Sequence, residues 1–442
     1  YFGRVDKGAC LGLKAIVRWM AATPLWNGGT LPNDTRTFKD EYTTYDPKRW
    51  EAARDAAKDV LEAKDVNGAI RYKLYAPAAM DADDFKDVDG NANTNNGKVQ
   101  ERLWQMVYNM DAIQQEWVWF TTRDKDTGWS GDVLPPSQNG HARQRPLQEQ
   151  VDEYEYISPD GYGYPIYDSR AKIDGYDDEN PYESVKRDPR FYRTFAFPGV
   201  RWSFVGNPTT QGNRYPHNGP DYELWNYTWY TDAAYVDDIE ANSSVTYGAD
   251  GLLNDVKGFY VRKRSDDRDV NATARYVYDE KSGGFTRSAA PYMEIRYAEV
   301  LLNYAEAACN AGEMGVAVDQ LQKIRARVGY KAENNYGLEA GLDGDQAKCM
   351  AAIMYERQIE LAYEGKRFDD MRRWMLFDGG VELPEGAPVT WKLTGWGGNT
   401  CTYLGFKPLN GQRRENLEFR TTVNGGIGGT NVDNDPLVKA GI

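Results

Sequence analysis

Helix-length apolar periodicity runs through two blocks near the ends of this chain and is missing from the roughly 160 residues between about Gly128 and Ser288, which predicts helical segments on either side of a long irregular middle. In the first block, Leu13, Ile16, Val17 and Met20 recur at helical spacing over residues 5–26, and Pro24 predicts that the helix stops just before it. Asp46 ahead of Pro47 is a plausible N-cap for a second helix, whose apolar face carries Trp50, Ala53, Ala57, Val60 and Leu61. Together they read as a helical hairpin within residues 1–80.

The second block returns to helix at Tyr292. Ala298, Leu301, Leu302 and Ala305 form one stripe, Gly312 breaks it, and Ala317, Leu321, Ile324 and Val328 form the next. Small residues at Ala305 and Ala308 permit close packing, the composition of a tetratricopeptide-type hairpin that stacks on neighbouring pairs. One further helix is predicted over Asp345–Phe377, with Ala352, Tyr355, Ile359 and Ala362 on its inner face. From Gly379 the chain is Gly/Asn-rich and reads as irregular. The fold class is therefore mainly α, with few short strands.

Between about Gly128 and Ser288, Gly, Pro, Asn and Asp punctuate short aromatic runs, which predicts loops with short strands. Loops held on a rigid scaffold are where binding residues tend to be placed. The chain has 31 Tyr and 13 Trp in an otherwise polar sequence, so many rings must lie at or near the surface. A ring face can take the axial C–H groups of a sugar, while amides, acids and arginines take its hydroxyls. Trp129, Tyr162, Tyr164, Trp202, Trp225 and Trp229 are the candidate ring platforms, and Gln138, His141 and Arg143 the candidate polar partners. Tyr154 and Tyr156 belong to the same aromatic stretch.

Composition removes several other classes of function. With 53 Lys+Arg against 67 Asp+Glu, the formal charge is −14, which repels a phosphate backbone, so nucleic acid is not an expected partner. Cys10, Cys309, Cys349 and Cys401 show no CxxC spacing and the only histidines are His141 and His217, so neither a zinc site nor a Cys-His nucleophile is expected. The acidic loop 81–98 imitates a calcium loop, but with Gly90 at the central glycine Phe85 stands where the first carboxylate should be and Asn96 where the bidentate Glu should be. No cofactor, metal or catalytic residue is expected. No stretch approaches eighteen apolar residues, and the chain opens at Tyr1 without a basic and apolar leader, the expectation for a processed or truncated product.

Two charged motifs read as architecture. Glu356, Glu360 and Glu364 are like-charge neighbours on one helix face, near Arg357, Arg367, Asp370, Arg372 and Arg373, which predicts an ion-paired helix junction using Arg367, Arg372 and Arg373. In RDPRF, Pro189 fixes a turn while Arg187, Asp188 and Arg190 bond to scaffold carbonyls or carboxylates.

Several strings, in order, resemble the SusD/RagB family along nearly the whole chain: GRVDKGACLGLKAIVRWMAATPLWNG, PKRWEAARDAAKDVLEA, PYESVKRDPRFYRTFAFPG, PYMEIRYAEVLLNYAEAACNAG and IMYERQIELAYEGKRFDDMRRWML, with NDPLVKAGI a looser likeness. The resemblance implies one SusD-like unit over 1–442: a helical hairpin region at 1–80, an aromatic-rich ligand-facing region at 81–290, tetratricopeptide-like helices at 291–378 and an irregular tail at 379–442. It also implies a non-catalytic glycan-binding protein at the outer-membrane surface, serving a SusC-like TonB-dependent transporter barrel. The lipid anchor of that family would lie outside this chain, which starts inside the family's usual length; Cys10 sits inside a helix and is not the lipid-bearing Cys. An oligopeptide ligand, a helical glycoside hydrolase and a plain tetratricopeptide scaffold remain the alternatives.

Overall fold

The structure, a computed structural model, describes residues 4–29, 42, 44–75, 115–122, 146, 150–151, 153–157, 161–164, 187–196, 204–205, 260–263, 276–279, 284–285, 292–375, 402–407 and 418–422. In chain order the helices are α1 (Lys7–Ala22), α2 (Lys48–Leu61), α3 (Pro189–Thr194), α4 (Tyr297–Asn310), α5 (Met314–Arg327), α6 (Gln346–Glu360) and α7 (Arg367–Arg373). The strands are β1 (Trp117–Thr121), β2 (Tyr156–Ile157), β3 (Gly163–Tyr164), β4 (Phe195–Ala196), β5 (Phe204–Val205), β6 (Tyr260–Val261), β7 (Tyr276–Asp279), β8 (Gly284–Phe285), β9 (Tyr292–Arg296), β10 (Thr402–Lys407) and β11 (Glu418–Thr422). The described architecture is mainly helical, and its strands are short. Two compact units emerge, both assembled from separated stretches: one from Tyr1–Pro77, Asp111–Thr122 and Pro291–Asn399, the other from Ala78–Met110, Arg123–Ala290 and Thr400–Ile442.

The first unit is the helical frame. α1 starts where Asp6 Oδ1 accepts the Ala9 amide at 2.9 Å, and it stops before Pro24. Its buried face is not the aliphatic stripe seen in the sequence. Leu13 and Val17 are 49% and 58% exposed, while Gly8, Ala9, Gly12, Ala15, Trp19 and Ala22 face inward. The reason is close approach: a Cβ at Gly12 would lie 2.9 Å from Val118 Cγ1, and one at Gly8 only 1.7 Å from the Tyr72 hydroxyl. α2 begins with the Lys48 amide on Asp46 Oδ1 at 3.0 Å and buries Trp50, Ala53, Ala56, Ala57 and Val60 against α1 and α4.

α4 is the centre of this unit. It packs against α1, α2, α5 and α6, and of its residues only Tyr297 and Tyr304 escape full burial. A helix buried nearly all round must seat its polar residues on partners, and Glu299, Asn303 and Glu306 are all inside. Two boundaries differ from the sequence reading. Tyr292–Arg296 is strand β9, paired antiparallel with β1, so the helix begins at Tyr297. The single helix expected over Asp345–Phe377 is broken into α6 and α7 by a turn with Tyr363 at φ +60° and Gly365 at φ +77°, the left-handed region that ends helices. The inner face of α6 is partly as expected: Ile359 and, just past the helix, Ala362 are buried, but Ala352 and Tyr355 are half-buried, and Cys349, Met350, Ile353 and Met354 complete the buried face. The charged residues on the buried side shifted the apparent apolar stripe.

The second unit is built from short pieces. β2 and β3 form an antiparallel hairpin, β4 pairs with β6, and β5, β7 and β8 form a three-stranded sheet with one parallel pairing. α3 is the RDPRF segment: Asp188 Oδ1 accepts the Arg190 amide at 2.9 Å and Pro189 occupies the first turn. Within the expected irregular tail, β10 and β11 pair antiparallel.

Candidate functional site

Of the nine candidate ligand residues, Tyr162 and Tyr164 fall within the described residues; Trp129, Gln138, His141, Arg143, Trp202, Trp225 and Trp229 lie outside them. Tyr162 and Tyr164 stand on and beside the β2–β3 hairpin. Gly161 enters β3 at φ +84°, and Gly163 packs so tightly that a Cβ there would fall 2.0 Å from Glu155 Oε2. That glycine holds the strand against a buried acid, and the flanking residues at i and i+2 share the same side of the strand. Both tyrosines are half-buried.

Beneath them the aromatic character becomes core. Tyr164 faces Tyr156 across the ladder, and Tyr156 is buried under the Arg187 guanidinium, 4.5 Å from its ring centroid. Tyr154 is buried too, edge-on to Phe191 and Phe195, with its hydroxyl 3.2 Å from Thr194 Oγ1. Sequence alone pooled these two with the exposed rings; their burial distinguishes them. The RDPRF segment frames this core as expected of architecture. Arg187 donates to the Val151 and Tyr154 carbonyls at 2.8 and 2.9 Å, and Arg190 forks onto Asp188 at 3.0 and 2.7 Å.

The acidic helix of the first unit tells a different story. Glu360 and Glu364 grip Arg296, which donates from Nε to Glu364 at 2.7 Å and from Nη1 to Glu360 and Glu116 at 2.8 and 3.0 Å. Arg327 bridges Glu116 at 2.7 Å and Glu360, while Glu356 pairs with Arg325 at 3.2 Å. A second knot joins Arg357 and Arg373 to Asp370, Arg373 to Glu306, and Trp374 Nε1 to Glu306 at 2.8 Å. Trp19 lies beneath both guanidiniums, 4.6 Å from Arg357 and 3.9 Å from Arg373.

The sequence foresaw an ion-paired junction and named Arg367, Arg372 and Arg373 for it; Arg373 is in the junction, on Asp370 and Glu306, and Arg296, Arg325 and Arg327, on other elements, meet Glu356, Glu360 and Glu364. No local spacing could reveal them. Burial pushes the Asp370 carboxyl upward, but Arg357 and Arg373 outweigh it and hold it below the ordinary carboxylate range. For Arg296, burial pulls the other way from its three glutamates, and the glutamates win, raising it well above the usual arginine value. Glu299 is the exception: burial raises it, and Lys366 only partly opposes that. These groups are enclosed and paired, which makes them a frame and not an acid/base pair on a cleft. Among the described residues, no cluster of three or more His, Cys, Asp or Glu is arranged to hold a metal, and no helix is long and apolar enough to cross a membrane.

Comparison with known proteins gives a consistent picture. The sequence profile of the SusD family matches residues 100–403. A SusD-like protein P2 from Formosa agariphila is 38% identical over 106 residues, which is 23% of this chain and 20% of that protein. The crystal structure of a SusD-like protein from Bacteroides fragilis NCTC 9343, at 2.70 Å resolution, has 21% identity and a TM-score of 0.51, covering 86% of this chain and 56% of its own. The chain therefore spans little more than half the length of that structure, and the likeness between the two is one of fold.

Proposed function

The chain belongs to the SusD family, and from that premise we propose that it is a non-catalytic surface protein that captures oligosaccharides and passes them to a SusC-like TonB-dependent transporter in the outer membrane. Members of the family are outer-membrane surface lipoproteins. The observation that carries the reading is that the family match spans the whole aromatic middle, where Tyr162 and Tyr164 stand half-buried on a glycine-seated hairpin. Trp129, Trp202, Trp225 and Trp229 supply further ring platforms in this proposal, and Gln138, His141 and Arg143 the hydroxyl partners. Capture needs no bond to break. The work is done by stacking and hydrogen bonds, and the paired, enclosed carboxylates of the helical frame take no part in it.

The test is calorimetric titration of the full chain against soluble polysaccharides, oligosaccharides and mixed oligopeptides, with reducing ends assayed afterwards. Saturable glycan binding without new reducing ends is the expected result. Tyr162→Ala should weaken it about 3–10-fold, the worth of one stacked ring. Binding of peptides alone, or release of reducing ends, overturns the proposal.

A further inference from the structure

Two of the four cysteines meet inside the helical frame. Cys309 closes the C-terminal turn of α4 and Cys349 lies in the first turn of α6; both are fully buried in the same core cluster. Gln346 ties the two helix ends together. Its Nε2 donates to the Cys309 carbonyl at 3.0 Å, and the Cys309 Sγ donates to the Gln346 carbonyl at 3.7 Å, one turn before Cys349. The two thiols also perturb one another: Cys349 pushes the Cys309 thiol up, and Cys309 lowers that of Cys349. The Cys309 sulfur thus lies within one helical turn of Cys349, on two helix ends already fixed by a shared glutamine, so the two cysteines need little backbone movement to be joined.

From this juxtaposition we propose that Cys309 and Cys349 are a modification site: they form a disulfide that staples the end of α4 to the start of α6. The oxidant is a protein or small-molecule disulfide. One cysteine thiolate attacks it and expels the first thiol; the second cysteine, giving up its proton, then attacks the mixed disulfide and expels the second thiol. Two thiols are oxidised and one disulfide is reduced, so electrons and protons balance. Because both are enclosed in the finished core, oxidation belongs to the folding stage, before α6 closes over α4. The staple would close a loop of about 40 residues and so restrict the unfolded chain strongly. Disulfides of this kind persist in extracellular settings. The inference stands on the geometry of the helical frame and is independent of which ligand the aromatic region takes.

The experiment is refolding of the reduced, denatured full chain with oxidised glutathione, followed by alkylation and peptide mapping. The expected product is about 2 Da lighter than the all-thiol form, carries a linked Cys309–Cys349 peptide, and leaves Cys10 alkylated. Its thermal midpoint should exceed that of the reduced protein by about 5–10 °C, and a Cys309→Ser/Cys349→Ser variant should show no difference between the two conditions. Recovery of folded protein in which Cys309 and Cys349 both remain alkylated, or are linked to Cys10 or Cys401 instead, overturns the proposal.

Discussion

Arg296 in the helical frame and Arg187 in the strand-rich unit are both buried almost completely, yet their charges are met in opposite ways. Arg296, at the end of β9, is surrounded by Glu116 just ahead of β1, Glu360 at the end of α6 and Glu364 in the turn that follows, and Arg327 on α5 shares the Glu116 and Glu360 carboxylates. Asp188, the acid next to Arg187 in the chain, pairs with Arg190; Arg187 itself lies 4.5 and 4.0 Å from the Tyr156 and Phe191 ring centroids and donates to two backbone carbonyls. Its Nε and Nη1 meet no partner among the described residues. The difference teaches what each charge is for. The first fixes the mutual position of helices, because a carboxylate left without its guanidinium is very costly in low dielectric. The second fills a slot between aromatic rings, where the plane of the side chain matters as much as its charge.

Replacing each arginine by methionine, which keeps the stem and removes the charge, breaks this comparison most directly. Arg296→Met takes the guanidinium from buried Glu364 and leaves Glu116 and Glu360 with Arg327, and is expected to destabilise the helical frame by about 3–5 kcal/mol. Arg187→Met strands only the Val151 and Tyr154 carbonyls, and the expected loss is about 1–3 kcal/mol. Chemical denaturation gives the totals, and hydrogen exchange at α4 and α6 shows whether the first loss is confined to the helical frame. Equal costs for the two substitutions would mean that Arg187 also answers a carboxylate, and the contrast would fall.

The same contrast explains what was legible in the sequence. Pro24, Asp46, Gly312 and the Ala317/Leu321/Ile324 stripe are local signals, and the helices they imply are in place. The face of α1 was misread because Leu13 and Val17 dominate any apolar count, while burial is decided by where Gly8 and Gly12 let Tyr72 and Val118 come close. The break at Tyr363–Gly365 was hidden because the apolar period runs on through it. Partners separated by tens to hundreds of residues, such as Arg327 and Glu116, leave no spacing to read. In the aromatic middle the reverse problem arises: composition marks the region, but Tyr154 in the core and Tyr162 at its edge are the same residue type, and only packing tells them apart.

A third buried ion pair sharpens the comparison with the smallest effect. Glu299 has a lysine where Glu360 has arginines: Lys366 Nζ lies 3.0 Å from its carboxylate and also donates to the Glu294 carbonyl at 2.9 Å, with part of the ammonium group's side chain open to solvent. A compact, hydrated ammonium compensates burial less well than a fork of guanidinium donors, so desolvation prevails and Glu299 is raised above its ordinary 4.5. A group that binds its proton more tightly in the folded state stabilises the fold below its unfolded pKa, and that contribution is lost as pH rises through the folded value. Glu299→Gln mimics the protonated form. The stability difference, variant minus parent, should therefore increase as pH is raised from 4.5 through the folded pKa and then level off. Asp370, held low by Arg357 and Arg373, contributes the opposite slope below its ordinary 3.8 in both proteins and cancels from the difference. A difference that stays flat, or that falls with pH, would show that Lys366 compensates Glu299 as fully as the arginines compensate Glu360.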